Sequence, residues 1–306
     1  MRRSLPYFLL LLLLLLLLFL LLIPAARAQG RIDCNALPSR VLRQTIHYCV
    51  MLPPAYDAAT TAKPPRLYPV LYFLHGLGDN EQTLFKSGGW NTIEDLRQQH
   101  RISDFLVVAP EGLASFYINS ADGRTRYSDF FLRELIPYIE SHYSIRRQRA
   151  SRAVSGVSMG GYGALRLAFA NPDLFSSVSA ESPALVSESP RAGAHSTPSS
   201  NPLGRMLAPV FGDPVDVRHW NQNSPFVLAR QNRGKILATR LAIYFNCGLD
   251  DDFGFEKGAS ELHRQLQSEH IPHEFHLYAG NHSSEYFLAH LGETMVFHSR
   301  NFAPAK

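Results

Sequence analysis

Gly156-Val157-Ser158-Met159-Gly160 is a G-x-S-x-G sequence that lies between a predicted strand and a predicted helix. Residues 152–155 are typical of the end of a buried strand, and residues 161–170 carry the small and apolar side chains of a packed helix. A turn this sharp has no room for side chains beside the serine, so flanking glycines allow Ser158 to stand exposed near a helix N-terminus. The stretch therefore predicts a nucleophile elbow with Ser158 as its nucleophile.

Short apolar runs ended by turn residues alternate with helical stretches along the rest of the chain. The runs cover residues 70–74, 105–109, 150–154, 177–180 and 241–245, and the helical stretches cover 92–100, 129–142 and 256–270. This alternation predicts one domain built on a doubly wound, mostly parallel α/β sheet. Residues 187–211 interrupt the pattern with a segment rich in Ser, Pro, Ala and Gly, followed by a short apolar piece. Two interpretations stay open for it: a flap or cap beside the site, or a disordered surface insertion.

The first 28 residues have the order of a secretory signal peptide. Arg2-Arg3 precede a leucine run over residues 9–22, and Pro24 and Ala26-Arg27-Ala28 follow. A charged start, an apolar centre and a small-residue cleavage site predict removal of residues 1–28, export, and a secreted or periplasmic domain of residues 29–306. The alternative is an uncleaved membrane anchor, because residues 7–23 approach the lower limit of about 17 residues for spanning a bilayer. Cleavage after Ala28 leaves a protein without stable membrane insertion.

The charge of the mature chain argues against nucleic-acid binding. Loss of the three arginines in residues 1–28 lowers the formal charge from +4 to +1. No basic run interleaved with aromatic residues follows in the remaining sequence, and such a run is the expected footprint of a nucleic-acid partner.

Cysteine usage fits an exported protein. Cys34 and Cys49 flank a turn at Pro38-Ser39 that leads into a strand, so a hairpin can bring the two thiols together as a disulfide. Cys247 follows an apolar strand and is predicted to be a buried free thiol.

A serine hydroxyl needs a general base that is itself held by a third group. In hydrolases with a nucleophile elbow, the chain order is serine, acid, histidine. Asp250-Asp251-Asp252 follow the strand of residues 241–245, and His282 lies in a loop after a further strand. One of the three acids is expected to orient His282, the predicted general base. No metal site is predicted, because Pro272 and strand alternation separate the other nearby histidines.

His75-Gly76-Leu77-Gly78 directly follows the strand of residues 70–74. A loop in this place supplies one donor of an oxyanion hole, so the backbone N–H groups of Leu77 and Met159 are predicted to face the developing oxyanion. A phosphate-binding loop is excluded, because neither a following Gly-Lys-Ser/Thr nor a complete G-x-G-x-x-G is present. Three aromatic residues are candidates for a substrate-pocket wall, although packing is the alternative for each: Tyr117, Trp220 and Tyr286.

Several stretches together resemble the esterase D family of α/β hydrolases. They are residues 52–57 (Leu-Pro-Pro-Ala-Tyr-Asp), 73–78 (Phe-Leu-His-Gly-Leu-Gly), 134–140 (Glu-Leu-Ile-Pro-Tyr-Ile-Glu), 156–164 (Gly-Val-Ser-Met-Gly-Gly-Tyr-Gly-Ala) and 281–283 (Asn-His-Ser). The resemblance covers most of the mature chain and implies the α/β-hydrolase fold. The family includes S-formylglutathione hydrolases, feruloyl and acetyl-xylan esterases, enterochelin esterase-like enzymes and mycolyltransferases. Its Gly-x-x-Asp-x-Phe pattern implies that Asp251 is the triad acid, with Asp250 as the fallback.

The resemblance and the residue order together predict a serine carboxylesterase that works through an acyl-enzyme and needs no cofactor. Its expected substrate is a small-molecule or polysaccharide-linked ester. Family members often carry an aromatic residue after the histidine, and here Ser284-Glu285-Tyr286-Phe287 follow instead, which affects the expected pocket shape. Two alternatives remain: an acyltransferase of the mycolyltransferase type that moves the acyl group to an alcohol, and a catalytically inactive binding module.

Overall fold

The computed structural model describes residues 29–186 and 202–303. The predicted signal peptide (residues 1–28) and residues 187–201 of the predicted flap lie outside the described residues. Among the helices of the described ranges, none combines the length and the apolar character needed to cross a membrane.

Eight strands within the described residues form one sheet in the order β1-β2-β4-β3-β5-β6-β7-β8. Strands β3 to β8 run parallel, and the hairpin β1–β2 joins the sheet antiparallel to β4. The strands are β1 (Arg31–Ser39), β2 (Gln44–Leu52), β3 (Val70–Leu74), β4 (Leu106–Pro110), β5 (Arg152–Val157), β6 (Ser177–Glu181), β7 (Ala242–Gly248) and β8 (Glu274–Tyr278).

Helices cover both faces of this sheet. They are α1 (Tyr56–Thr61), α2 (Trp90–Gln98), α3 (Tyr127–Phe130), α4 (Ile136–His142), α5 (Met159–Ala170), α6 (Pro202–Phe211), α7 (Val217–Asn223), α8 (Pro225–Gln231), α9 (Arg233–Thr239), α10 (Phe255–Ser268) and α11 (Ser284–Asn301). A π-helical turn, Phe85–Gly89, leads into α2, and another, Phe131–Leu135, joins α3 to α4.

Side chains of the central strands point alternately to the two faces of the sheet, and this divides the apolar core into two layers. In β3, Tyr72 and Leu74 belong to the layer that includes α5, whereas Leu71 and Phe73 belong to the layer under α2 and α11. All five residues of β3 are buried, as expected for a parallel strand covered on both faces. The predicted fold class, a mostly parallel α/β sheet in one domain, is confirmed.

A buried polar contact attaches α11 to β6. Ser177 and Ser179, which share one face of the strand, bind the two ring nitrogens of His298 at 2.8 Å each. Glu181, the next residue on that face, accepts a hydrogen bond from Thr294 Oγ1 at 2.7 Å. Complete burial lowers the pKa of His298 to about 3, so its ring is neutral and can accept one hydrogen bond while donating the other.

Helix α11 was not predicted from the sequence, and neither were the helices between residues 202 and 239. The expected strands agree with the observed ones to within a few residues, and β3 has the bounds expected from its apolar run. Residues 202–211 of the predicted flap form α6, which contains Pro209.

The expected disulfide joins Cys34 and Cys49, which are paired directly across the hairpin β1–β2. It closes a loop with a sequence separation of 15 residues. A cross-link of this length stabilises a protein mainly by restricting its unfolded chain.

Replacing both cysteines, Cys34→Ser with Cys49→Ser, is expected to lower the free energy of unfolding by about 3 kcal/mol, because the unfolded loop regains its freedom. Urea denaturation followed by circular dichroism measures the change. Dithiothreitol should destabilise the wild-type protein to the same level and leave the double variant unchanged. Equal midpoints for oxidised wild type and double variant would contradict the expectation.

Candidate active site

Ser158 is the single residue between β5 and α5, and its backbone adopts φ 53° and ψ −116°. A positive φ is strained for a residue with a side chain, so close packing on both sides must hold it in place. A Cβ on Gly160 would lie 1.9 Å from the carbonyl oxygen of Leu74, and one on Gly156 would lie 2.3 Å from the backbone of Gly160. Glycine is therefore required at both positions, and the observed turn has the geometry of a nucleophile elbow.

The structure brings Ser158, His282 and Asp251 into one hydrogen-bonded chain. His282 Nε2 lies 2.8 Å from Ser158 Oγ, and His282 Nδ1 lies 2.7 Å from Asp251 Oδ2. An ionised carboxylate only accepts hydrogen bonds, so Nδ1 carries the proton and Nε2 accepts from the serine hydroxyl. This tautomer is the one that a general base beside a serine needs.

The surroundings of Asp251 keep its carboxylate ionised. Burial raises the pKa of this group, but the hydrogen bond and charge of His282, together with the N–H groups of Phe253 and Phe255, outweigh burial and lower it. Those N–H groups donate to Asp251 Oδ1 at 3.0 and 3.4 Å. Oδ2 also accepts from the Cys247 thiol at 3.6 Å. Burial raises the pKa of Cys247 to about 12, so the thiol keeps its proton and can donate.

The neighbouring acids have different positions. Asp250 is exposed, and its backbone N–H donates to the carbonyl of Gly280 at 3.0 Å. Asp252 Oδ2 accepts the backbone N–H of His282 at 3.1 Å and so holds the histidine loop. Of the three acids, Asp251 is the one whose carboxylate meets the imidazole.

Aromatic rings surround the imidazole of His282. Phe253, Phe255 and Phe287 approach it edge-on, with ring centroids 4.9, 5.5 and 5.2 Å away. Phe253 is 55% exposed, so its ring forms part of the rim of the site. Sequence reasoning missed this residue, although its place in the Gly-x-x-Asp-x-Phe pattern is a signal that could have found it.

The loops after β3 and β5 meet beside Ser158, because these two strands are neighbours in the sheet. Within the described parts of the chain, no hydrogen bond occupies the backbone N–H of Leu77 or of Met159. Both groups are therefore available to an oxyanion at Ser158. Their assignment as an oxyanion hole stays a prediction.

His75 fixes the shape of the first of these loops. Its Nδ1 donates to the carbonyl of Gly76 and its Nε2 accepts the N–H of Gly112, both at 2.7 Å. Burial lowers the pKa of His75, so the ring is neutral and acts as donor and acceptor at once. Sequence analysis assigned it no such role, and no local pattern reveals a bond to a residue 37 positions away.

Tyr117, Trp220 and Tyr286, the three residues expected at a pocket wall, are all buried. Tyr117 is fully enclosed and its hydroxyl donates to the carbonyl of His75 at 3.0 Å. Trp220 packs on Phe211, with ring centroids 4.6 Å apart. The Tyr286 hydroxyl donates to Asn246 Oδ1 at 2.9 Å. Their assignment to a substrate pocket stays a prediction.

A model of the family described as "Putative esterase" matches residues 39–298, which is most of the chain. The chain belongs to this esterase family. As a member of the esterase family, the protein is a hydrolase of the carboxylesterase type. The match includes Ser158, Asp251 and His282.

Solved structures share the fold of this esterase. A ferulic acid esterase superposes with a TM-score of 0.74 at 24% identity, over 90% of this chain and 100% of the other. The fluorophosphonate-binding serine hydrolase F of Staphylococcus aureus gives 0.72 at 20% identity, over 88% and 98%. An S-formylglutathione hydrolase from Agrobacterium tumefaciens gives 0.69 at 18% identity, over 90% and 96%. Likeness at these identities shows the fold.

The elbow geometry leads to a paired glycine test. Gly160→Ala should lower the free energy of unfolding by about 3 kcal/mol or more and abolish labelling of Ser158 by a fluorophosphonate, because the new methyl group overlaps the Leu74 carbonyl. Urea denaturation and labelling measure the two effects.

Gly234→Ala is the matched control. Apart from its chain neighbours and the backbone of its own helix, no atom of the described residues lies within 4 Å of a Cβ at this exposed helical position. Alanine favours a helix there, so stability should stay equal or rise by about 0.5–1 kcal/mol, with labelling intact. If Gly160→Ala and Gly234→Ala lose similar amounts of unfolding free energy and of Ser158 labelling, the close contact between Gly160 and Leu74 is not what the elbow requires.

Proposed function

We propose that this esterase is a secreted serine carboxylesterase in which Ser158 is the nucleophile, His282 the general base and Asp251 the residue that orients it. The observation that carries the proposal is the continuous hydrogen-bonded chain of these three side chains, which begins on a strained nucleophile elbow. An inactive binding module has no need to hold a strained serine against an imidazole.

The first half of the proposed reaction forms an acyl-enzyme. Ser158 Oγ attacks the ester carbonyl while its proton passes to His282 Nε2, and Asp251 stabilises the imidazolium that results. The oxyanion is held by the N–H groups of Leu77 and Met159. When the tetrahedral intermediate collapses, the C–O bond to the alcohol breaks and His282 protonates the leaving oxygen.

The second half removes the acyl group from the enzyme. A water molecule gives a proton to His282 and attacks the acyl carbon, and the collapse of the second intermediate returns the proton to Ser158 and releases the acid. All proton transfers occur at Nε2, because Nδ1 stays bound to Asp251. The chain supplies every group that this reaction requires.

The proposed substrate is a small-molecule or polysaccharide-linked carboxylic ester. Solved structures with this fold include a ferulic acid esterase and S-formylglutathione hydrolases, so the fold serves different acyl groups. Export is supported by the Cys34–Cys49 disulfide, since such bonds persist in oxidising compartments.

Substitution of the triad tests the mechanism. Ser158→Ala and His282→Ala should each lower kcat for p-nitrophenyl acetate about a millionfold, because the residues act as a unit. Asp251→Asn should lower it about ten-thousandfold by favouring the wrong imidazole tautomer. Initial rates and fluorophosphonate labelling provide the measurements.

Asp250→Asn is the matched control for the acid, since Asp250 neighbours Asp251 but is exposed and has no contact with the imidazole in the described residues. Its kcat should stay within about threefold of wild type, as expected for a surface substitution. A large loss in Asp250→Asn with a small one in Asp251→Asn would refute the assignment. No turnover of any ester, together with no labelling, would favour the binding module.

Export leads to a separate expectation for the N-terminus. Protein recovered after expression of the full chain in a secreting host should begin at Gln29, because cleavage after Ala28 follows the small-residue site. Intact-mass analysis of the secreted and membrane fractions checks this. An intact N-terminus in the membrane fraction would instead support the uncleaved anchor.

A further inference from the structure

A small cavity lies beside the triad, on the face of the sheet covered by α11. It has a volume of about 40 Å³ and is lined by side chains from the β3 loop, the end of β5, the end of β6 and the start of α11. A much larger cavity of about 750 Å³ lies at the opposite ends of β7 and β8, away from Ser158. Of these two cavities, the small one is the one near the triad.

Three lining residues place this cavity next to Ser158 and His282. Phe287, which lines it, packs against the ring of His282. Asp79 and Val157 also line the cavity. A Cβ placed on Gly76 would lie 3.2 Å from Asp79, 3.8 Å from Val157 and 3.6 Å from Ser158 Cβ, so these three residues surround the same point. The cavity therefore adjoins Val157, the residue before Ser158, and Phe287, which packs on His282.

Glu181 brings an unused polar atom to the cavity. The residue is 1% exposed and lines the cavity, and its backbone carbonyl accepts the N–H of Ser158 at 2.9 Å. One carboxyl oxygen, Oε1, accepts from Thr294, whereas Oε2 is buried and has no hydrogen-bond partner among the described residues. A buried polar atom without a partner costs about 1–3 kcal/mol of folding free energy. A group that enters the cavity and forms a hydrogen bond with Oε2 would remove this cost.

The chemistry of Glu181 makes it a hydrogen-bond donor. Burial raises the pKa of Glu181 to about 8, because a charge is costly in this position. The carboxyl group therefore carries a proton at neutral pH. With Oε1 occupied as an acceptor, the proton on Oε2 can be given to an oxygen atom of a ligand.

The size of the cavity limits that ligand. A buried water needs about 10–15 Å³ by this measure, so about 40 Å³ holds about three waters, or a chain of about three or four heavy atoms. Leu288 and Leu291 give the lining an apolar part near α11, and His75, Asp79, Thr83, Ser87 and Ser284 add polar groups. The cavity thus combines an apolar side with several polar groups, and Glu181 Oε2 is the buried polar side-chain atom of its described lining that has no hydrogen-bond partner.

We propose that this cavity is the acyl-binding pocket and that Glu181 selects short acyl groups that carry a hydroxyl or keto oxygen on the third carbon. The proposal rests on the proposed serine esterase function, and it names the acyl side of the substrate. The alcohol then leaves on the exposed side of the site, past Phe253.

A pair of esters of equal shape tests the polar contact. The p-nitrophenyl esters of 3-hydroxybutyrate and 3-methylbutyrate differ by a hydroxyl in place of a methyl group. Wild-type enzyme should prefer the hydroxy ester about fivefold in kcat/KM, as one neutral hydrogen bond provides. Glu181→Leu should reverse the preference, and Glu181→Gln, which keeps an N–H donor, should retain it.

Glu261→Leu is the matched control, because it makes the same substitution at an exposed position of α10. Its preference should equal that of wild type. If Glu181→Leu leaves the preference unchanged, the cavity does not receive the acyl group and the proposal is wrong.

Leu288→Ala keeps the proposal testable if Glu181→Leu fails to fold. Leu288 lines the cavity at a half-buried position. Its truncation should raise kcat/KM for p-nitrophenyl hexanoate relative to acetate about tenfold, the lower end of the range of about 10–200-fold that one methylene group provides in a pocket. An unchanged ratio would overturn the pocket assignment.

Failure of the function itself gives a different result. If wild-type protein hydrolyses none of these esters and a fluorophosphonate does not label Ser158, the serine esterase proposal falls, and this inference with it. If ester hydrolysis depends on Ser158 but the enzyme shows no preference for the hydroxy ester and Leu288→Ala does not change the hexanoate-to-acetate ratio, the pocket inference is wrong and the esterase proposal stands.

Discussion

The contact between Gly160 and the carbonyl of Leu74 is the constraint on which the site depends. It joins the turn after β5 to the end of β3 at a distance that no side chain permits. Because β3 and β5 are neighbours in the sheet, this contact also fixes where the Leu77 loop lies relative to Ser158. One backbone contact thus positions the nucleophile and both expected oxyanion donors.

A second close backbone approach positions the acid and the base. Gly248, at the end of β7, has space for no Cβ, because one would lie 2.4 Å from the carbonyl of Gly280. The N–H groups of Leu249 and Asp250 donate to the carbonyls of Tyr278 and Gly280, at 2.8 and 3.0 Å. The loop with Asp251 and the loop with His282 are therefore held together by their backbones. This arrangement brings Asp251 Oδ2 and His282 Nδ1 to within 2.7 Å of each other.

The parts of the structure that could be predicted from the sequence are those that depend on the residue types of short, continuous stretches. The elbow, the parallel strands and the order of Ser158, Asp251 and His282 all depend on short stretches whose residue types have few alternative uses. Helix α11 was missed because its buried face carries Thr294 and His298, which break the apolar periodicity. Those residues are buried because β6 offers them partners, and the partners lie more than 110 positions away. Tyr117 illustrates the same limit. Its position after a strand suggested a place near the site, but its packing against Gly163 is a tertiary contact between residues far apart in the sequence, so no local pattern records it.

Two carboxyl groups near Ser158, Asp251 and the more deeply buried Glu181, differ in charge, and the difference has a physical origin. Asp251 receives two backbone N–H groups, a thiol and an imidazole, which together outweigh the cost of burial. Glu181 receives a single hydroxyl, so burial prevails and the group keeps its proton. In the proposed reaction a negative charge is needed next to His282, where a positive charge develops, whereas a second charge at Glu181 would add to the negative charge that forms at the substrate near Ser158. The number of donors around each carboxyl therefore places a charge where the proposed reaction uses it and removes one where it would oppose catalysis.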